Sequence, residues 1–249
     1  MSEPADLTCD RLLGGRIALR QPREGYRAGL DAALLAAACG ARDGERVLEA
    51  GCGAGAALLA AAQRSPGARL LGLERDPAVA ALAEVNARDN GLDERVTVRT
   101  FDIGAGFKAL GEPRFDAVLA NPPFFDDPAA LRVPSPAKRG AWMADGGLAV
   151  WTAFLLAAVR DGGAITVIHR ADRLGDLLAQ LGAKAGGFQV RGVHPFADAP
   201  AKRVLVRATR GGKAPLQLLP PLTLHPRDGA KHTPEAEAIL RGEAALRWG

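Results

Sequence analysis

The chain has 249 residues, 48% of them hydrophobic, and a formal net charge of +4, which is enough apolar material for one large core or two small ones. Its longest apolar run, 148–159, is too short to cross a bilayer, and residues 1–10 carry acids where a secretory leader carries basic residues, so a cytoplasmic protein is expected. Three cysteines (Cys9, Cys39, Cys52) and four scattered histidines supply neither a disulfide framework nor metal-ligand spacing, so no metal is expected; the modest basicity permits a nucleic-acid partner without requiring one.

Arginines recur at Arg11, Arg16, Arg20, Arg23 and Arg27 ahead of an apolar helix expected over 30–39. The pattern reads as a solvated basic arm, with Asp31 as the carboxylate favoured in a helix's first turn; the competing reading is a segment that closes over a ligand and faces a polyanion. A strand over 46–50 then runs into Gly51-Cys52-Gly53-Ala54-Gly55 and a helix over 56–63. Strand, glycine turn and helix is the order of a nucleotide site, because missing β-carbons admit a ligand to the backbone and the helix end offers unpaired N–H groups. The glycines depart from Gly-x-Gly-x-x-Gly, with Ala56 in the final place, so the spacing favours S-adenosylmethionine over a dinucleotide. A second strand, 69–73, ends in Glu74, about twenty residues beyond the turn, where an acid accepts from both ribose hydroxyls. After a helix over 77–90, a third strand, 96–100, delivers Asp102 toward an adenine amino group beside the apolar wall of Ile103.

The fourth strand, 115–120, ends in Asn121-Pro122-Pro123-Phe124. Proline cannot donate to a sheet ladder and restricts the residue before it, so the chain leaves the sheet on a stiff path. Asn121 offers a side-chain carbonyl, Pro122 a backbone carbonyl and Phe124 a flat ring, a set suited to a planar group bearing NH2. Taken alone, the tetrapeptide is equally a turn. A long loop, 125–147, is read as a substrate lid, and a helix over 148–160, a turn at 161–163 and a strand over 164–169 complete the unit. His169 at that strand's end is read as a hydrogen-bonded residue and not a general base. A helix over 174–181, strands over 189–193 and 203–208 paired as an antiparallel hairpin, and a tail with Pro220, Pro221 and a helix over 234–248 close the chain.

Glu49-Ala-Gly-Cys-Gly-Ala-Gly55, Glu74, Asp102 and Asn121-Pro-Pro-Phe124 stand in the order and at the strand ends used by class I S-adenosylmethionine-dependent methyltransferases, which the chain resembles. The Asn-Pro-Pro-aromatic element resembles that of enzymes methylating the planar nitrogens of adenine, guanine or glutamine side chains. Over nearly its full length the chain is similar to the bacterial tRNA adenine-N6 methyltransferases that modify the adenine just after the anticodon of a valine tRNA. Gln21-Pro-Arg-Glu-Gly-Tyr-Arg27, Leu30-Asp-Ala-Ala-Leu-Leu35, His169-Arg-Ala-Asp-Arg-Leu174, Ala201-Lys-Arg-Val-Leu205 and Leu219-Pro-Pro-Leu222 carry that likeness.

The resemblance implies a Rossmann-like α/β fold with a seven-stranded, mostly parallel sheet, a C-terminal antiparallel hairpin and helices on both faces. It implies one domain: an extension over 1–40 that closes on the cofactor, a core over 41–210 and a packed tail over 211–249. By position it puts Gly51, Gly53 and Gly55 at the methionyl part of S-adenosylmethionine, Glu74 at its ribose, Asp102 and Ile103 at its adenine, and Asp31 and Glu49 at its amino acid end. Asn121, Pro122 and Phe124 would hold the target base, and Lys138, Arg139, Lys202 and Arg203 are expected to contact tRNA phosphates. Phe124 stands where adenine enzymes most often carry tyrosine. A ribosomal RNA guanine-N2 methyltransferase, a protein glutamine methyltransferase and a non-catalytic RNA-binding module remain the alternatives, and the oligomeric state is not indicated.

Overall fold

The computed structural model describes residues 7–23, 29–123 and 147–249. The first of these segments is a ribbon of two antiparallel strands, β1 (Leu7–Leu12) and β2 (Ile17–Pro22), where the arginine pattern had suggested a solvated arm. Arg11, Arg16, Arg20 and Arg23 are exposed and Arg27 falls outside the described residues; Ile17, Leu19 and Gln21 alternate with the outward positions of β2 and are buried, so period-2 burial and not charge decides the conformation.

The remaining strands form one sheet. In chain order they are β3 (Arg46–Ala50), β4 (Arg69–Glu74), β5 (Val96–Thr100), β6 (Phe115–Ala120), β7 (Val159–Arg170), β8 (Ala185–His194), β9 (Arg203–Arg210) and β10 (Gln217–Thr223). Their lateral order is β5, β4, β3, β6, β7, β9, β8, β10, and β9 alone runs against the rest. Strands β3, β4 and β6 read as continuous apolar runs because helices cover both their faces. On one face lie α1 (Leu30–Cys39), α2 (Ala56–Arg64), α3 (Pro77–Asp89) and α7 (Pro234–Leu240); on the other lie α4 (Phe107–Leu110), α5 (Gly147–Ala158) and α6 (Leu174–Leu181). Val47 packs into the first core and Leu48 into the second, the alternation that a doubly covered strand requires.

Several expectations are corrected. The sheet has eight strands and not seven, because 217–223 pairs with β8 despite Pro220 and Pro221. Both prolines are tolerated because β10 is an edge strand, and the pairing shifts register between Leu219 and Leu222 around them. The 161–163 turn lies inside β7 as an irregularity: Phe115 pairs with Val159 but Ala117 with Ala164, so three extra residues loop out. The last helix ends at Leu240; the chain beyond it is held from outside, with the buried Trp248 indole donating to the Ala38 carbonyl at 2.8 Å. The hairpin pairing of β8 and β9 is as expected, with β9 inserted between β7 and β8.

Candidate active site

Register lines the expected residues up. Ala50 of β3 faces Leu73 of β4 on one side and Ala120 of β6 on the other, so Gly51, Glu74 and Asn121 leave the sheet side by side. Adjacent strands are about 4.8 Å apart, which makes this row two steps wide. Ala120 in turn faces Val167, so His169, 2% exposed, stands near the same edge on β7.

The turn after β3 is tied to its surroundings. Cys52 donates its N–H to the Leu73 carbonyl (2.9 Å), Gly53 to Glu74 Oε2 (3.1 Å) and Gly55 to the Cys52 carbonyl (2.9 Å). The other Glu74 oxygen accepts from the Asp76 N–H at 3.0 Å, and Asp76 caps α3 ahead of Pro77. Gly51 and Gly53 both adopt left-handed backbone, φ 68° and 55°, but for different neighbours. A β-carbon on Gly51 would lie 2.4 Å from Trp151 Cη2 on α5, whereas one on Gly53 would meet nothing within 4 Å. Gly53 therefore borders open space, while the space at Gly51 is filled by an indole. Trp151 was missed in the sequence, where an aromatic in an apolar helix reads as core.

Glu49, at the end of β3, is 3% exposed, and its Oε2 has no hydrogen-bond partner among the described residues. Burial, and then the charge of Glu74, holds its carboxyl well above the usual carboxylate range. Burial also pushes the neighbouring Cys52 thiol up, so it stays protonated. Asp102 accepts from the Gly104 N–H at 2.8 Å as the cap of a short 3-10 turn, Ile103–Ala105, and Ile103, like Phe101, Phe107 and Trp151, packs against the second core. Open backbone at Gly53, an uncompensated buried acid at Glu49 and acceptors at Glu74 and Asp102 together fit S-adenosylmethionine, which carries positive charge, a ribose diol and an adenine.

Asp31, in the first turn of α1, pairs with Arg203 at 3.0 Å, which joins two residues assigned separately to cofactor and RNA. Lys202 beside it is exposed, and Asn121 and the buried Pro122 lie at the end of β6. Phe124, Lys138, Arg139 and the 125–146 part of the expected lid fall outside the described residues. Among the described residues no group of three His, Cys, Asp or Glu side chains is placed to hold a metal, and no helix is long and apolar enough to cross a membrane.

Residues 27–133 match the family model described as the Methyltransferase small domain. A tRNA1(Val) (adenine(37)-N6)-methyltransferase from Flavobacteriaceae bacterium (strain 3519-10) is 30% identical over 112 residues, which is 45% of this chain and 47% of that protein. A release factor glutamine methyltransferase from Geobacter sulfurreducens is 41% identical over 78 residues, 31% of this chain and 26% of that protein. The chain thus spans less than half the length of these curated relatives. Among solved structures, a predicted O-methyltransferase from Agrobacterium tumefaciens, protein Atu636, superposes with a TM-score of 0.73 at 28% identity, covering 87% of this chain and 98% of that one. A methyltransferase domain model thus covers the central part of the chain, and the fold is shared with a predicted O-methyltransferase, so the chain is similar to S-adenosylmethionine-dependent methyltransferases in sequence and in fold.

Proposed function

We propose that the protein methylates the exocyclic nitrogen of an adenine in tRNA, the adenine beside the anticodon. The observation that carries this reading is the register that brings Asn121-Pro122 out of the sheet next to Gly51, one strand spacing from the glycine turn and two from Glu74. S-adenosylmethionine supplies, when bound, a methyl group on a sulfonium that is already an activated leaving group.

The chain's own residues then have to bind, orient and exclude water. Glu74 gives up its bonds to the turn in part to accept from ribose hydroxyls, Asp102 and Ile103 flank the adenine, and Glu49 faces the cationic amino acid end, where a positive charge offsets its burial. Asp31, paired with Arg203, helps close that end. On the target side, the Asn121 amide oxygen and the Pro122 carbonyl accept the two amino hydrogens, which turns the nitrogen lone pair toward the methyl carbon, while Phe124 stacks on the base. No general base of near-neutral pKa is needed, because the proton is lost from an already alkylated, acidic nitrogen. An anticodon-loop base is partly unstacked, so presenting it costs less than extracting one from a duplex. Lys202, Arg203, Lys138 and Arg139 contribute phosphate contacts, whose signature is steep salt dependence of RNA binding.

A second reading, methylation of a glutamine side chain in a protein, is favoured by the relative of that activity and uses the same two carbonyl acceptors. The test is nucleoside mass spectrometry of tRNA and rRNA from cells with and without the gene. Loss of 6-methyladenosine from tRNA supports the proposal; loss of a methylguanosine from rRNA, or no change in either RNA, refutes it.

A further inference from the structure

Asn86 lies on α3 with no exposed surface, yet its carboxamide reaches two other elements. Its Oδ1 accepts from the Arg20 N–H (2.9 Å), and its two amide hydrogens go to the Arg20 carbonyl (2.8 Å) and the Ala54 carbonyl (2.9 Å). One turn along the helix, Asn90 repeats the first pair of bonds at Ala18, at 2.9 and 2.7 Å, but spends its second hydrogen on the Asn86 carbonyl at 2.7 Å. The match is geometric: four residues of helix rise about 6 Å, close to the roughly 6.6 Å between alternate residues of a strand. Two side-chain amides therefore stand in for a third strand along the free edge of the amino-terminal ribbon.

Ala54 belongs to the glycine turn. The peptide joining it to Gly55 is held at both ends, its carbonyl by Asn86 and its N–H by the Cys52 carbonyl at 2.9 Å. We infer that Asn86 is a positioning residue for methyl transfer: it locks the cofactor turn against the β1–β2 ribbon, so that ribbon docking and cofactor affinity rise and fall together. The inference rests on the placement of S-adenosylmethionine at Gly51 to Gly55. Only asparagine meets the demand: aspartate has no hydrogens to donate and sets a charge against two carbonyls, and glutamine is a methylene too long for a site without space. Asn90, the C-cap of the same helix, is a control, since it grips the ribbon without touching the turn.

The experiment compares Asn86→Ala, Asn90→Ala and Glu74→Ala by titration calorimetry with S-adenosylmethionine, alongside thermal melts. Asn86→Ala is expected to lower affinity at least tenfold and to raise the cofactor KM with kcat changed less than threefold; Asn90→Ala is expected to stay within twofold in affinity while melting at a similarly reduced temperature. Equal loss of affinity in both asparagine variants, or none in Asn86→Ala, overturns the inference. Wild-type affinity in Glu74→Ala overturns the cofactor placement and the coupling with it, whereas loss with Glu74→Ala and none with Asn86→Ala overturns the coupling alone. Should Asn86→Ala fail to fold, hydrogen exchange of the wild-type protein decides: linkage is reciprocal, so the cofactor must slow exchange of the Arg20 N–H, and unchanged exchange there contradicts the coupling.

Discussion

The two neighbouring exits from the sheet, at Gly51 and at Asn121, are stiffened by different means. The turn beyond Ala50 is held by hydrogen bonds from elsewhere: Leu73, Glu74 and Asn86 each take or give one, and the Trp151 ring rests on Gly51. The path beyond Ala120 is stiffened covalently, by two proline rings that fix φ and have no N–H to satisfy. Geometry held by many distant partners is lost in small steps from many positions; geometry built into two rings is insensitive to distant change and depends on the one polar side chain set in front of them. Cofactor affinity is therefore expected to be spread over several elements, and turnover to be concentrated at Asn121.

The sharpest way to break this contrast is Asn121→Ala. Its contact strengthens as the target nitrogen becomes tetrahedral, so turnover should fall by about 10²-fold or more while cofactor affinity stays within about twofold. Equal losses in both, from single-turnover kinetics and calorimetry, would mean that the two exits are one unit. Next in size is Glu74→Ala, expected to weaken cofactor binding about 10- to 100-fold and also to lower the melting temperature, since the carboxylate holds the Gly53 and Asp76 N–H groups in the free protein and charge-assisted hydrogen bonds are worth about 1.5–3 kcal/mol each. Gly51→Ala should destabilise the fold by about 1–3 kcal/mol in denaturant titration, because the new methyl meets Trp151 in a left-handed backbone. Adding Trp151→Leu should recover part of that loss; no recovery would leave backbone strain as the whole cause.

A smaller effect concerns pH. Glu49 is held above its ordinary value of 4.5 in the folded chain, so the folded state retains a proton that the unfolded state has released. Its stabilising contribution is complete below the ordinary value and is lost as pH rises through the raised one. The ligand-free protein should thus lose stability on going from acid toward neutral and alkaline pH, and Glu49→Gln should flatten that fall; a slope unchanged in the variant assigns it to other groups. The smallest expected effect is Arg203→Ala, less than about 1 kcal/mol in stability, because its pair with Asp31 is partly exposed.

The contrast also explains what could be read in the sequence. Apolar runs ending in Glu49, Glu74, Asp102 and Asn121 announced the parallel strands and their carboxyl edge, since burial on both faces leaves a continuous hydrophobic signal and chemistry gathers where it stops. The ribbon over 7–22 was illegible because exposed arginines alternate with its buried Ile17 and Leu19, and charge drew the eye. The eighth strand was hidden by Pro220 and Pro221, which exclude a central strand but not an edge. Trp151 gave no signal, for nothing in an apolar helix marks one ring as a wall of the turn. Asn86 gave one: it lies on the stripe of Ala83, Ala87 and Asn90, where a polar residue on a buried face requires partners.

The most direct test offers purified protein total tRNA, rRNA and a glutamine-bearing protein substrate with labelled S-adenosylmethionine, in parallel with Asn121→Ala, and identifies the product by digestion and mass spectrometry. The account predicts label in tRNA alone, recovered as 6-methyladenosine, and its near-complete loss in the variant. Label recovered as methylguanosine or methylglutamine, or wild-type turnover by Asn121→Ala, would contradict it.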